Sequence, residues 1–252
     1  MIEIFSLEGK TAFVSGASRG LGREMALTLA EAGADVALAA RTVVGLEETA
    51  ESIRKRGRKA LVCPMDISNI DAIEKGVDDA VGTFGRIDIL INNAGVAQGE
   101  KAVIEMTAET WDRVMRVNLR GHVLCTKAVG RYMIEKRYGK IINISSAAGL
   151  VGVAYISGYC ASKAGMIQFT KSLALEWARF NIQVNAICPG FFVTDLNREF
   201  LKTPRGQELI NKMPMRRTGD LREIRGLILL LASDASSFMT GSVVTVDGGQ
   251  TI

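Results

Sequence analysis

The chain has 252 residues, 48% of them hydrophobic, a net charge of +4 and one histidine. This length suits one large α/β domain or at most two small ones, and the apolar share allows a full core, which excludes a disordered chain. Lys and Arg are scattered except for RKRGRK (54–59), which reads as a solvated helix end, so no nucleic-acid partner is expected. Cys63, Cys125, Cys160 and Cys188 form no CxxC pair, and with one histidine they assemble no metal cluster. Free thiols in a reducing cytoplasm are expected. The opening MIEIFSLEGK carries Glu3 and Glu8 without a long apolar run, so no signal peptide is expected. No stretch approaches the roughly 18 apolar residues of a membrane span.

In chain order, TAFVS (11–15), DVALAA (35–40), ALVC (60–63), IDILI (87–91), IINIS (141–145), IQVNAI (182–187) and SVVTV (242–246) read as seven strands. Their nearly continuous hydrophobicity suits strands covered on both faces by helices. Helical stretches lie between them, such as REMALTLAEAG (23–33), which ends at a glycine cap. The alternation predicts right-handed βαβ crossovers and a parallel, doubly wound α/β sheet of Rossmann type. There is no internal repeat, linker or composition break, so a single domain over 1–252 is expected. Segment 191–238 has no strand signal and contains Pro204, Pro214 and Gly219. It predicts short helices, with a substrate lid over about 193–216.

The first strand runs into SGASRGLG (15–22), with Gly16, Gly20 and Gly22 spaced G-x-x-x-G-x-G before a helix. Positions without side chains let the backbone approach a pyrophosphate at a helix N-terminus, although a ligand-free glycine turn has the same pattern. The second strand ends in Ala40 and Arg41 instead of the carboxylate that would hold a ribose 2′-hydroxyl. A guanidinium there can pair with a 2′-phosphate, which favours NADP(H) over NAD(H), and Arg19 can add a second cation. The alternative for Arg41 is an ordinary exposed helix-start arginine. Asp66 in MDIS could accept from an adenine amino group, and NNAG (92–95) forms a tight turn beside the cofactor or simply a capped turn. In YCASKAG (159–165), Tyr159 and Lys163 share a helical face at i, i+4. Hydride reduction of a ketone needs a proton donor at the developing alkoxide, and a neighbouring lysine cation is expected to lower the tyrosine pKa towards neutrality.

GASRGLG, NNAG, Asn118 in RVNLRG, Ser146 in INISSAAG, YCASK and PGFFVT (189–194) stand in one order and spacing. In these motifs the chain resembles the short-chain dehydrogenase/reductase family, from EGK at residue 8 to VDGG at residue 249. The resemblance implies cofactor contacts at Gly16, Ser18, Arg19, Gly20, Leu21, Gly22, Arg41, Asp66, Ile67, Asn93, Ala94, Gly95, Pro189, Gly190, Phe192 and Thr194, with Tyr159 and Lys163. It implies Tyr159 as acid/base, Lys163 on the nicotinamide ribose, and Ser146 rather than Ser145 on the substrate oxygen. Asn118 would hold a relay water, its alternative being a helix asparagine bonded to backbone.

Tyr155 has a tyrosine, not a lysine, four places on. It is therefore expected in the substrate pocket with Val96, Ala148 and Val153. His122 reads as structural or interfacial. Two family groups compete for the substrate. The 3-oxoacyl carrier-protein reductases show two arginines towards the acidic carrier; Arg137 matches one, but Phe180 stands at the other position, beside Arg179. EWARFNIQVN and PGFF look more like the gluconate 5-dehydrogenase group, so a sugar acid or polyol is expected, with the carrier-protein or general carbonyl reductases as the alternative. A catalytically silent NADP-binding sensor is the other class of reading, and the retained Asn118, Ser146, Tyr159 and Lys163 speak against it. Family members of this length imply a homotetramer formed through helices near 107–137 and 155–180 and the last strand.

Overall fold

The computed structural model describes residues 2–252. In chain order the regular elements are β1 Thr11–Ser15, α1 Gly20–Glu31, β2 Asp35–Ala40, α2 Val43–Arg54, β3 Ala60–Pro64, α3 Ile70–Phe84, β4 Ile89–Asn92 and α4 Ala108–Met115. They continue with α5 Gly121–Lys136, β5 Gly139–Ile144, α6 Ser157–Trp177, β6 Ile182–Pro189, α7 Arg198–Lys202, α8 Pro204–Lys212, α9 Arg225–Ala232 and β7 Val243–Val246. A π-helical turn at Arg116–Arg120 joins α4 to α5.

All seven strands form one sheet in the order β3-β2-β1-β4-β5-β6-β7, and each neighbouring pair is parallel. This is the doubly wound sheet that the strand–helix alternation predicts. Alternate residues of β1 feed two cores. Ala12 and Val14 join Met25 and Leu29 of α1, Leu46 and Ile53 of α2, and Ile228 and Leu231 of α9. Phe13 joins Ile73 and Val77 of α3, Cys125 and Val129 of α5, and Leu173 of α6. With both faces covered, β1, β5 and β6 are buried along their whole length, which explains their largely apolar runs. The strand order reverses between β1 and β4, which opens a crevice at the carboxyl ends of the strands.

Two strand boundaries differ from expectation for polar reasons. The fourth strand starts at Ile89 rather than 87, because the buried Asp88 carboxylate accepts from Thr11 N at 2.9 Å and pairs with Arg86. The fifth strand starts two residues early, where Lys140 N donates to Asp88 O at 2.8 Å. The glycine cap falls as expected: α1 ends at Glu31 and Gly33 follows at φ +111°. The RKRGRK run is a helix end whose Arg56 pairs with Glu31 and whose Arg58 pairs with Glu8 and Asp35.

The segment after β6 forms the short helices expected of it, with Thr203 capping α8 and Pro204 at its first position. Its last helix, α9, belongs to the core. Among the described residues, no helix is long and apolar enough to cross a membrane, and no cluster of three metal-ligating side chains is present.

Candidate active site

No side chain caps α1 and no acidic residue occupies its first turn, so its leading N–H groups and dipole face the crevice unspent. Gly16 and Gly20 take φ +70° and +55°, and a Cβ on Gly22 would fall 2.1 Å from Gly16 O. Only glycine closes this loop onto its helix. Asn93 braces it from just past β4: its Nδ2 donates to Ser15 O at 3.0 Å and Gly16 O at 3.2 Å, and its N–H donates to Ser15 Oγ at 2.9 Å. A bare loop against a free helix N-terminus fits a pyrophosphate.

Every residue expected at the cofactor, from Gly16 and Arg41 to Pro189 and Thr194, lines one cleft of about 270 Å³ with Tyr159 and Lys163. Ser15, Thr42, Val117, Asp195 and Asn197 line it as well and were not foreseen. Arg41 is exposed at the cleft. Burial pushes the Asp66 carboxyl up, but hydrogen bonds from Ser68 and the charge of Arg41 outweigh it, so the group titrates below its ordinary value. Arg19 reaches across the cleft to Asp195 at 3.2 Å and ties the glycine loop to the segment after β6.

The expected catalytic side chains converge at the ends of β5 and α6. Ser145 Oγ donates to Lys163 O at 2.7 Å, a bond that spends it on structure. Ser146 Oγ accepts from Ala148 N at 3.2 Å, which leaves its own hydrogen free to donate. Lys163 is buried and donates from Nζ to Ile144 O at 2.9 Å, leaving two of its three hydrogens. Burial lowers its pKa to about 8, opposed by Cys188. Tyr159 differs from expectation. Burial pushes its hydroxyl up, the Ser146 hydroxyl pulls it back, and Lys163 is not what sets its pKa. The ammonium is turned to the Ile144 carbonyl and is itself held towards neutrality.

Asn118 sits in the π turn, fully buried. Its Oδ1 accepts from Val96 N at 2.8 Å, and Nδ2 donates to Val96 O at 3.0 Å and to Ser162 Oγ at 3.4 Å. Both amide hydrogens are therefore spent on protein, and a relay water has only the second lone pair of Oδ1 to meet. Ser162 in turn donates to Tyr159 O at 2.7 Å, so it links Asn118 to the turn that carries Tyr159. His122 lies one turn beyond, fully buried, which rules out the interfacial reading. Neither ring nitrogen has a well-formed hydrogen bond among the described residues. Burial, then the charge of Lys163, lower its pKa to about 3, although the backbones of Ala94 and Asn118 lie near enough to oppose this.

A second cavity of about 730 Å³ meets the first at Ser146, Tyr159, Pro189 and Gly190. Ala148 and Val153 line it as expected, with Phe191, Phe200 and Met213. Val96 lines the cofactor cleft instead. Tyr155 does not line the cavity: its φ of +69° turns it outwards, half exposed, with its ring 5.2 Å beneath the Arg205 guanidinium. Gln98 was missed. Its Oε1 accepts from Tyr159 N at 3.0 Å and its Nε2 donates to Tyr155 O at 3.4 Å. A glutamine three residues past NNAG carries no local signal of that role.

The family model described as enoyl-(acyl carrier protein) reductase matches residues 16–251. The 2-dehydro-3-deoxy-D-gluconate 5-dehydrogenase of Escherichia coli (strain K12) is 40% identical over 252 residues, covering 99% of this chain and 98% of its own. The chain belongs to the short-chain dehydrogenase/reductase family. The 3-oxoacyl-(acyl-carrier-protein) reductase of Synechocystis sp. is 37% identical, covering 97% of this chain and 98% of its own. A gluconate 5-dehydrogenase structure from Burkholderia cenocepacia J2315, in complex with NADP and tartrate, superposes with a TM-score of 0.94 at 35% identity, covering 99% and 98% of the two chains. As a short-chain dehydrogenase/reductase, the protein is an oxidoreductase that uses a nicotinamide cofactor.

Proposed function

We propose that the protein is an NADP(H)-dependent oxidoreductase that interconverts a secondary alcohol and a ketone, with a sugar acid or polyol as substrate. The observation that carries this reading is the junction of the two cavities at Ser146 and Tyr159. There a proton donor and a second hydroxyl face one point, as a developing alkoxide requires. The bound nicotinamide supplies or accepts the hydride. Tyr159, kept protonated by burial, gives its proton to the substrate oxygen in reduction and takes it back in oxidation. Ser146 donates its free hydrogen to the same oxygen. Lys163 offers its two remaining hydrogens to the ribose hydroxyls. Asn118 positions Val96 and α6 through its amide, and its remaining lone pair is the place for a relay water.

NADP rather than NAD is supported by Arg41 just past β2, where Ala40 and Arg41 stand instead of a carboxylate. Arg19, now paired with Asp195, is the second cation within reach of a 2′-phosphate. The sugar-acid substrate is supported by the names of two relatives, one acting on a dehydro-deoxygluconate and one on gluconate. A 3-oxoacyl or general carbonyl substrate is supported by the name of the Synechocystis sp. relative and by the apolar wall of Val153, Ile156, Phe191, Phe200 and Met213. Against a carrier protein, Arg137 is spent on Arg179 O at 2.9 Å. Helices α7 and α8, within 193–216, serve as the substrate lid of a single domain. Half-exposed Val243 and Val246 of β7 and exposed Trp111 and Leu175 suit a homotetramer, which light scattering tests. Four free cysteines suit a cytoplasmic enzyme.

The testing experiment is a turnover screen with NADP+ and NADPH over gluconate, other polyols, 3-oxoacyl thioesters and simple ketones. Sugar acids or polyols should lead. Acyl thioesters leading by orders of magnitude would select the second substrate, and tight NADPH binding without turnover of any carbonyl would leave a cofactor sensor.

A further inference from the structure

Three charged side chains line the larger cavity: Arg205 and Lys212, both on α8, and Glu100. Arg205, Leu209 and Lys212 stand at i, i+4 and i+7, so one stripe of α8 carries two cations separated by a leucine. Neither cation lines the cofactor cleft, and Ser146 and Tyr159 line both spaces. The cavity therefore has a reacting end and a separate cationic end.

Both cations are engaged now, but by exposed partners. Arg205 pairs with Glu100 at 3.2 Å and Lys212 with Glu208 at 2.6 Å, and all four side chains are more than 40% exposed. Exposed pairs of this kind are weak and exchangeable. A substrate carboxylate competes on better terms, because guanidinium takes it bidentately and the second cation lies on the same stripe of α8.

The placement of Arg205 has a second support besides Glu100. Tyr155 holds the guanidinium over its ring and does so at a left-handed φ that a tyrosine rarely adopts. Its carbonyl is pinned there by Lys101 N at 2.9 Å and by Gln98 Nε2 at 3.4 Å. The same Gln98 caps Tyr159 N. One glutamine therefore sets both the acid/base helix and the platform under Arg205, which puts the two ends of the cavity in register.

We propose that Arg205 and Lys212 bind a substrate carboxylate carried away from the reacting carbon, so that the enzyme selects hydroxy or keto acids over their uncharged counterparts. This rests on the oxidoreductase reading for its consequence in turnover, but the binding itself is read without turnover. The test is calorimetric titration of the NADPH-loaded protein with gluconate and with gluconamide, in wild type, Arg205→Met, Lys212→Met and the double variant. Wild type should bind gluconate about 10- to 100-fold more tightly than gluconamide, as expected for charge-assisted bonds. Each single variant should lose part of that preference and the double variant all of it, while gluconamide affinity stays level. Gluconate that binds wild type no better than gluconamide, or no better than it binds the double variant, overturns the assignment. Loss of gluconamide affinity in step with gluconate also overturns it, since that marks a collapsed cavity. Turnover of uncharged ketones with no preference for acids would defeat the carboxylate site and leave the reductase reading standing.

Discussion

Lys163 Nζ donates to the Ile144 carbonyl at 2.9 Å and lies 5.7 Å from the centre of the Tyr159 ring. One bond thus anchors the Tyr159–Lys163 turn of α6 to the end of β5 and aims the ammonium past the tyrosine. Burial brings Lys163 to about 8, so its charge is present below that pH and lost as pH rises through it. Reduction that depends on the cation should weaken above pH 8. Lys163→Met should cost about 100-fold or more in kcat/KM and remove that limb. A variant with the same alkaline limb as wild type would assign it to another group.

Arg41 is exposed at the end of β2 and is near enough to influence Asp66. Arg41→Ala should weaken NADPH binding by about 10- to 100-fold, the range for a charge-assisted bond, with little change for NADH. Fluorescence titration with both cofactors reads this, and equal losses for the two would show that Arg41 does not meet a 2′-phosphate.

His122 is neutral and fully buried, with its pKa lowered from 6.5 to about 3 by burial and then by the charge of Lys163. Between those values the unfolded chain binds a proton that the folded chain refuses. The stability present above pH 6.5 is therefore lost as pH falls towards 3, by about 1.4 kcal/mol per pH unit. His122→Leu should be at least as stable at pH 7, since no polar nitrogen is buried unpaired. It should gain on wild type by about that slope on acidification. Urea melts at pH 7, 6 and 5 measure the difference, and parallel pH dependence would contradict the buried neutral ring.

Where the fold was legible in the chain, physical periodicity made it so. β1 and β6 read as strands because both faces are buried, and Gly33 read as a cap because the chain turns left-handed there. The ends of β4 and β5 were misplaced because Asp88 and Lys140 are polar residues buried by partners distant in sequence. The same divide runs through the site. Gly16, Asn93, Ser146, Tyr159 and Lys163 stand in local motifs, and the fold brings them to one crevice. The Gln98 cap, the Arg19–Asp195 pair and Arg205 over Tyr155 join residues from 50 (205 − 155) to 176 positions apart. No window of sequence holds both partners. The pKa direction of Tyr159 was illegible for a related reason: spacing puts Lys163 nearby, but burial and the Ile144 carbonyl decide where its charge points.

The most direct test of the central claim is Tyr159→Phe, assayed for NADPH binding and for carbonyl turnover in the same preparation. With Tyr159 as the general acid, NADPH affinity should stay near wild type while turnover falls by about 100- to 10,000-fold, the range for losing a positioned proton donor. Turnover within a few-fold of wild type would contradict it.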